Sequence, residues 1–361
     1  MKINLVMIVK NEERSLKKCL EAVKPLVDRM IVVDTGSEDG TIRIAEEMGA
    51  AVLKFSWVDD FSAARNFALD HSDGDWNLVL DADEYIRDIS REELEDALLS
   101  QPGKKWLGGI LRYDSYEEEE GVSVSTSVLP RLLPGNVRYT GRIHEQPAGN
   151  YPCIPLPLEV DHDGYLYLDK GERNLPYLKR AVEEEPKDGY YQFQLASTLR
   201  NLKRLSESLP YFRNFYQYVK PKEAYRGQGI VLYLYTLLDL GTPECLDEAA
   251  GIIEREEIHL GGWSDYYFVC GIFYMKRVLS DVQRYIGLLP KIEQCYLRCL
   301  KLGERPRAGG VVGTGSFKAA YNLGTWYEVS GQKKLAVQYY QMSMKEGYLP
   351  AARRLKALMG T

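Results

Sequence analysis

Short apolar runs alternate with amphipathic segments over the first 165 residues, and this alternation constrains the fold more than any other feature. The apolar runs have the length and β-branched content of buried parallel strands, at Ile3–Val9, Met30–Val33, Ala51–Phe55 and Leu78–Leu80. Helical patterns separate these runs, at residues 15–27, 41–48 and 62–70. Such alternation predicts an α/β fold with a doubly wound sheet that binds ligands at the carboxyl ends of its strands.

Two further signals extend this pattern beyond the fourth strand. Ser90 and Glu93 match a capping box, which predicts a helix that begins at Ser90 and runs through Leu99. Two more strands are expected at Leu107–Tyr113 and Ser123–Leu133.

From about Leu168 onward the pattern is helical throughout, so we expect two domains, residues 1–167 and 168–361. The segment from Ala319 to Tyr340 places small and aromatic residues as tetratricopeptide repeats do. Gly324 would allow close helix contact, Gly331 would form the turn, and Ala336 would pack closely in the second helix. We therefore predict an all-α domain of about four helix pairs.

Composition and charge exclude several classes of protein and partner. The net charge of −6 argues against nucleic-acid binding, and no apolar run approaches the roughly 20 residues that span a bilayer. The N-terminal residues MKINLVMIVKNEE are interrupted by charge too early for a secretory signal. Six cysteines without zinc-like spacing indicate a reducing compartment. We expect a cytoplasmic protein without a transmembrane segment.

The segment WNLVLDADE, residues 76–84, carries the most specific chemical signal. An apolar run leads into Asp81 and Asp83, which would point to the same side of an extended strand with Ala82 between them. Two adjacent carboxylates repel each other unless a cation lies between them, and oxygen ligands suit Mg²⁺ or Mn²⁺. The plainer alternative is a strand end that runs into an acidic turn.

Three other polar segments follow predicted strands. The first strand ends at Val9 and is followed by Asn11 and Glu12. Asp34 lies at the tip of the second strand, and Arg65 lies in the first turn of the helix after the third. These side chains could contact a nucleoside, a ribose or a diphosphate. Taken singly, the same residues fit a helix start, an ordinary turn and a surface ion pair.

Together, in this order and spacing, the four segments resemble an inverting nucleotide-sugar glycosyltransferase of family two, with the GT-A fold, over about residues 1–165. The stretches W-x-x-D-F-S-x-x-R-N (residues 57–66) and L-D-A-D-E (80–84) are similar to two groups in that family. One is the lipooligosaccharide-core β-glucosyltransferases. The other is the sublancin-type S-glycosyltransferases, which also carry C-terminal tetratricopeptide-like helices.

The resemblance implies roles for individual residues. Asp34 corresponds to the nucleoside-binding aspartate, and Asp81 and Asp83 correspond to the metal-binding pair. Thr35 stands where the family often has a second aspartate, which weakens the assignment of the base contact. The remaining donor-binding candidates are Val9, Asn11, Glu12, Arg65 and Ala82.

An inverting transferase also needs a general base for the acceptor. The segment YTGRIHEQ, residues 139–146, places His144 and Glu145 at the station where many family members have an acidic residue. We expect Glu145 to be the base, with His144 as the competing candidate, since a carboxylate or an imidazole can serve. His162 matches a late histidine that completes metal coordination in several GT-A enzymes. A structural histidine in a turn is the alternative.

The resemblance implies a metal-dependent transferase that moves a hexose from a nucleotide sugar, expected to be UDP-linked, to a protein or peptide acceptor bound at the helical repeats. The metal would be Mn²⁺ or Mg²⁺. One alternative is a cell-envelope saccharide or lipid-linked acceptor. Another is a non-catalytic, helical-repeat binding module with a degenerate transferase domain. The sequence predicts neither the sugar nor the linkage atom, and it is compatible with a homo-oligomer.

Overall fold

The computed structural model describes residues 1–101, 103, 105–118, 121–166 and 170–359, and it divides into two compact units. The first unit is Met1–Tyr177 and the second is Leu178–Thr361, so the division falls inside the helix Lys170–Glu184. The boundary predicted between residues 167 and 168 lies outside the described residues.

In the described residues, the first unit contains ten strands and four complete α-helices. The strands are β1 (Ile3–Val9), β2 (Arg29–Asp34), β3 (Ala51–Lys54), β4 (Trp76–Val79), β5 (Glu84–Ile86), β6 (Leu107–Glu118), β7 (Gly121–Pro134), β8 (Tyr139–Thr140), β9 (Gln146–Pro147) and β10 (Cys153–His162). The helices are α1 (Leu16–Val23), α2 (Thr41–Glu47), α3 (Phe61–Asp70) and α4 (Arg91–Leu99). The capping box predicted at Ser90 is present at the start of α4.

The strands β3, β2, β1 and β4 lie side by side in that order and run parallel. The apolar side chains of β1, β2 and β4 are buried on both faces of the sheet, as in other parallel sheets with helices on both sides, whereas those of the edge strand β3 are half-buried. Val9 and Asp34 are register partners at the ends of β1 and β2, so the carboxyl ends of the strands meet at one edge. The predicted α/β sheet is confirmed.

The sheet continues beyond β4 as a mixed sheet, in the order β7, β6, β10 and β5. Sequence patterns missed β10 because Pro155 and Pro157 interrupt it, and proline is rare inside strands. Its last residue, His162, lies in register with Asp114 of β6 on one side and Glu84 of β5 on the other. The alternative of His162 as a turn residue is therefore wrong, since the residue ends a strand.

The described part of the second unit is almost entirely helical. Its helices are α5 (Lys170–Glu184, shared with the first unit), α6 (Gly189–Asn201), α7 (Leu205–Tyr218), α8 (Arg226–Leu240), α9 (Pro243–Leu260), α10 (Ser264–Ser280), α11 (Val282–Tyr285), α12 (Leu289–Leu302), α13 (Phe317–Val329), α14 (Lys333–Lys345) and α15 (Leu349–Met359).

Four helix pairs pack as tetratricopeptide-like repeats do: α6 with α7, α8 with α9, α10 with α12, and α13 with α14. A side chain at Gly324 would collide with the Tyr340 ring, 2.7 Å from the position that a Cβ would take. Gly331 has a left-handed backbone (φ +76°) in the turn, and Ala336 is fully buried. The predicted repeat architecture is confirmed. Among the described residues, no helix has both the length and the apolarity to cross a bilayer.

Candidate functional site

The two aspartates of the D-x-D segment lie in a turn rather than on a strand. Strand β4 ends at Val79 and β5 begins at Glu84, and the turn is closed by the Glu84 amide, which donates to the Asp81 carbonyl over 3.1 Å. The strand argument for two side-by-side carboxylates therefore does not hold, because i and i+2 share a side only in extended backbone. Ala82, between them, is buried.

Asp81 is an anchor for two buried arginines. Its Oδ1 accepts from Nη2 of Arg65 and its Oδ2 accepts from Nη2 of Arg131, each over 2.7 Å. Burial alone would lower the pKa of Arg65, but Asp81 and Glu145 raise it well above its usual value. Both guanidiniums therefore stay charged, and both oxygens of Asp81 are engaged by them. The expectation that Asp81 is a metal ligand stays a prediction, since each carboxylate oxygen has a second lone pair beside the one that accepts from an arginine.

Asp83 has a different neighbour, the imidazole of His162. Oδ2 of Asp83 lies 3.5 Å from Nε2 of His162, and both side chains are buried. Nδ1 of His162 lies 2.7 Å from Oδ1 of Asp114. Although burial alone would lower the pKa of His162, its hydrogen bonds to Asp114 and Asp83 raise it to about 9. The carboxylate and the ring nitrogen thus face each other across a short gap.

This pair fits a divalent cation. Metal-ligating histidines commonly bond a carboxylate through the other ring nitrogen, as His162 does with Asp114. Gly164 leaves room at the pair, because a Cβ there would lie 2.1 Å from Oδ2 of Asp83 and 2.7 Å from Nε2 of His162. No set of three or more His, Cys, Asp or Glu side chains arranged for a metal occurs in the part of the chain described. Mg²⁺ and Mn²⁺ are often held by one or two protein groups together with substrate phosphates.

The expected nucleoside residues come together at the ends of β1 and β2. Asp34 accepts from the amides of Gly36 and Ser37 over 3.0 and 3.1 Å, so its carboxylate shapes the turn after β2. The amide and hydroxyl of Thr35 both donate to the carbonyl of Val9. Here threonine ties the two strand ends together, which gives a physical reason for its place in the turn.

Asn11 and Glu12 connect the same two loops. Asn11 has a left-handed backbone (φ +56°), which is uncommon outside glycine, and its Oδ1 accepts from the amide of Glu38 over 2.8 Å. The amide of Glu12 donates to Oγ1 of Thr41 over 2.7 Å. The loops after β1 and β2 are therefore hydrogen-bonded into one polar surface at the carboxyl edge of the sheet.

Glu145 is held by Arg65, the same guanidinium that holds Asp81. Nε of Arg65 donates to Oε1 of Glu145, and both side chains are largely buried. The loop that carries Glu145 is bonded to the start of α3, where the amide of Phe61 donates to the carbonyl of Arg142 over 2.9 Å. Arg65 therefore joins the candidate base to the D-x-D turn.

His144, the competing candidate for the base, has a strained backbone and a ring nitrogen without a hydrogen bond among the described residues. Its backbone is left-handed (φ +50°), a conformation that costs free energy and is found preferentially at functional sites. Its Nε2 is buried and has no hydrogen-bond partner among the described residues. Burial lowers the pKa of His144. The ring is therefore neutral at pH 7 and has a nitrogen left over for a ligand.

Sequence reasoning missed four charged residues beside these candidates: Glu84, Arg112, Asp114 and Arg131. Glu84 and Asp114 are buried, and the side chains of Arg112 and Arg131 are 15% and 11% exposed. A signal was present, because Arg131 interrupts the apolar stretch Val128–Leu133, and Arg112 and Asp114 share one side of β6. Charges inside strands need buried partners, and no pattern of spacing says which strand supplies them.

Comparison with known proteins assigns the first unit to a family. The family model for glycosyl transferase family 2 matches residues 5–120. An uncharacterized glycosyltransferase of Rickettsia felis is 35% identical over 202 residues, which cover 55% of this chain and 70% of that protein. The SPbeta prophage-derived glycosyltransferase SunS of Bacillus subtilis is 26% identical over 217 residues, covering 57% of this chain and 51% of SunS.

Another relative bears on the helical region. A TPR repeat-containing protein of Synechococcus elongatus is 33% identical over 256 residues, which cover 66% of this chain and 61% of the relative. The chain spans about half to three-fifths of the length of the Synechococcus and Bacillus proteins. The family match, the parallel sheet and the helix pairs agree on one architecture, a GT-A-like sheet unit followed by tetratricopeptide-like helices. The chain belongs to glycosyltransferase family 2.

Proposed function

We propose that this protein transfers a hexose from a UDP-linked sugar to a protein or peptide acceptor. The transfer inverts the configuration at the anomeric carbon and requires Mn²⁺ or Mg²⁺. The observation that carries the proposal is the pair Asp83 and His162. A buried carboxylate and a carboxylate-supported imidazole face each other beside a glycine that leaves the space open.

The donor site would be shared among the strand ends. Asp34, Val9, Asn11 and Glu12 would line the nucleoside and ribose region, and Ala82 would lie against the donor in the D-x-D turn. A metal ion held by Asp83 and His162 would neutralise the charge that develops on the departing diphosphate. Asp81 would serve this site through the arginines that it holds.

Arg65 would connect the donor to the base. Its Nη1 is buried and has no hydrogen-bond partner among the described residues, so one donor of the guanidinium remains for a ligand. A diphosphate oxygen is the chemically suited acceptor, because arginine binds phosphate with several directed N–H groups. The same residue fixes Glu145, so the position of the base would depend on the donor site.

In the transfer step, the acceptor atom forms a bond to the anomeric carbon while the bond from that carbon to the diphosphate oxygen breaks. The proton of the acceptor passes to Glu145, and the bonding electron pair leaves with the nucleoside diphosphate. His144 is the second candidate for the base, since its ring is neutral at pH 7 and its Nε2 is unpaired among the described residues.

The helical unit supports a protein or peptide acceptor. Stacked helix pairs form extended surfaces that commonly bind peptides, and the tetratricopeptide-like pairs are present here. A peptide acceptor in extended conformation would lie on these helices. A saccharide acceptor would need no such surface.

The donor is tested by thermal unfolding with a panel of nucleotide sugars in the presence of Mn²⁺. Binding of the native state raises the melting temperature, by an amount equivalent to about 2.7 kcal/mol at a ligand concentration 100 times its dissociation constant. We expect UDP-hexoses to raise it most, and Asp83→Asn to abolish the Mn²⁺-dependent part. An equal response to every nucleotide, with or without Mn²⁺, would contradict the proposed donor site.

The acceptor is tested by comparing the full chain with a protein truncated after Tyr177, the end of the first compact unit. Donor hydrolysis and transfer to a peptide library are measured separately. We expect the truncated protein to keep donor hydrolysis and to lose transfer. Normal transfer to peptides by a folded truncated protein would remove the helices from acceptor binding.

A further inference from the structure

A buried chain of four charged residues runs beneath the D-x-D turn, and we call it the charge chain: Arg131 of β7, Glu84 of β5, Arg112 of β6 and Asp114 of β6. Nη2 of Arg131 lies 2.8 Å from Oε1 of Glu84, which also accepts from Nη1 of Arg112 over 3.1 Å. Nε of Arg112 lies 2.9 Å from Oδ1 of Asp114. Each residue therefore forms an ion pair with the next, either within β6 or between different strands.

Both ends of the charge chain reach the D-x-D segment. At one end, Arg131 holds Oδ2 of Asp81 over 2.7 Å. At the other end, Asp114 holds His162, whose second ring nitrogen faces Asp83. The chain thus links the two aspartates through protein groups alone, along a path separate from the backbone turn between them.

Glu84 is the central residue of this path. Its side chain is completely buried, and its second oxygen, Oε2, accepts from the backbone amide of Asp81 over 3.0 Å. One carboxylate therefore holds Arg131, Arg112 and the backbone of the D-x-D turn at the same time. Burying so many charges is costly unless each is paired, so a purely structural need would be met more cheaply by apolar side chains.

We propose that Glu84, Arg112, Asp114 and Arg131 are positioning residues for the donor site, and that they fix the spacing between the Asp81 carboxylate and the Asp83–His162 pair. The inference rests on the proposed function, because it assigns the affinity for the divalent ion to the position that these residues give Asp83 and His162. Asp81 and Asp83 are then the two ends of one rigid set of ion pairs, which we call the frame. Asp81 bonds the arginines, and Asp83 faces the metal position.

The test is the substitution Glu84→Gln, which keeps the size of the side chain. A glutamine amide must turn its NH₂ group either toward the Asp81 amide or toward the two arginines, so a donor faces a donor in both orientations. The readout is Mn²⁺ affinity, followed by electron paramagnetic resonance of the free ion during titration of the full chain. We expect binding about 10- to 100-fold weaker than in the wild type, the usual cost of losing a group that orients metal ligands.

Glu256→Gln is the matched control in the helical unit. Glu256 is also buried, and its Oε1 likewise accepts from two donors, the hydroxyl of Tyr216 and Nη2 of Arg226, each over 2.8 Å. We expect this substitution to lower the melting temperature and to leave Mn²⁺ affinity unchanged. The comparison separates loss of a buried ion pair from loss of a positioned metal site.

A second variant, Asp114→Asn, breaks the frame at its other end and keeps the inference testable if Glu84→Gln does not fold. Equal Mn²⁺ affinity in the wild type and in a folded Glu84→Gln or Asp114→Asn protein would overturn the inference while leaving the proposed function intact. Failure of the wild type to bind Mn²⁺ would overturn both.

Discussion

The two units differ in the residues that pair with their buried carboxylates. In the helical unit, buried or half-buried glutamates bond one tyrosine hydroxyl and one arginine each: Glu248 with Tyr233 and Arg213, Glu256 with Tyr216 and Arg226, and Glu328 with Tyr340 and Arg354. In the sheet unit, five carboxylates share three arginines and one histidine: Asp81, Asp83, Glu84, Asp114 and Glu145 with Arg65, Arg112, Arg131 and His162.

The difference lies in the charge balance. A glutamate with one arginine is neutral as a pair, and the tyrosine hydroxyl satisfies a further lone pair without adding charge. The sheet cluster has a formal excess of one negative charge while His162 is protonated, as its raised pKa indicates, and of two once a metal ion displaces that proton. Such an excess is costly in a buried site and is offset by a divalent cation. The comparison supports a stabilising role for the glutamates of the helical unit. For the sheet cluster it supports the binding of a cation.

Large effects are expected at the sheet cluster, first from Asp83→Asn, which removes one negative charge from the side of the cluster that faces His162. We expect kcat for sugar transfer to fall by about 10²–10³, as for other losses of electrostatic stabilisation at a reacting centre. The measurement is steady-state transfer kinetics together with the melting temperature. Asp161→Asn is the control, since Asp161 is adjacent in sequence to His162 but its side chain is 53% exposed and pairs with Arg87. Similar losses in both variants would contradict the account.

The base is tested by Glu145→Gln and His144→Gln in parallel. Loss of a general base lowers the rate by about 10²–10⁴, and it removes the corresponding limb from the pH profile of kcat. We expect this result for Glu145→Gln and a smaller effect for His144→Gln. A flattened profile in His144→Gln with a normal profile in Glu145→Gln would reverse the two assignments.

Gly164→Ala asks whether the space beside Asp83 and His162 is needed. The new methyl group would overlap both side chains, at 2.1 and 2.7 Å from their facing atoms, and would displace them. We expect Mn²⁺ affinity to fall about tenfold or more, by analogy with misplaced groups around other metal sites. Gly262→Ala is the control, because nothing lies within 4 Å of a Cβ built there. Unchanged Mn²⁺ binding in Gly164→Ala would remove this pair as the metal site.

The smallest effect concerns Asp265 in the helical unit, a buried carboxylate that bonds the neutral Val311 amide and Thr314 hydroxyl. Burial raises its pKa to about 6, although bonds from the Val311 amide and the Thr314 hydroxyl oppose the shift. Because the folded pKa lies above the unfolded value, the stabilisation is present below about pH 3.8 and is lost as the pH rises through about 6.

Asp265→Asn should remove this pH dependence. We expect the melting temperature of the variant, relative to the wild type, to be higher by a few degrees at pH 7.5 than at pH 4.5. Thermal unfolding of both proteins at the two pH values measures this difference and cancels the titration of all other groups. A constant difference between the proteins would show that Asp265 does not titrate in this range.

Periodicity and local signals were sufficient for the two-unit architecture, because both depend on the burial of one face of each element. Strand β1, the capping box at Ser90 and the small residues Gly324 and Ala336 were all predicted from their own neighbourhoods in the sequence. Strand β10 was not, since its two prolines conceal an extended segment that pairs with distant partners.

Sequence reasoning proposed Asp81, Asp83, Glu145 and His162 as site residues, but it gave neither their ion-pair partners nor their arrangement. Spacing alone suggested that Asp81 and Asp83 act together on one ion, whereas Asp81 is held by Arg65 and Arg131. Arg131 reaches Asp81 from 50 residues away, through an antiparallel pairing that no local pattern encodes. Long-range ion pairs decide which carboxylate is left to face His162.

The most direct test of the account is hydrolysis of a UDP-hexose in the absence of acceptor, measured for the wild type and for Asp83→Asn with Mn²⁺ and then with excess EDTA. We predict that EDTA abolishes wild-type hydrolysis, that added Mn²⁺ restores it, and that Asp83→Asn stays inactive under both conditions while remaining folded. Turnover that persists in EDTA and is insensitive to Asp83→Asn would contradict the metal site on which the proposed mechanism depends.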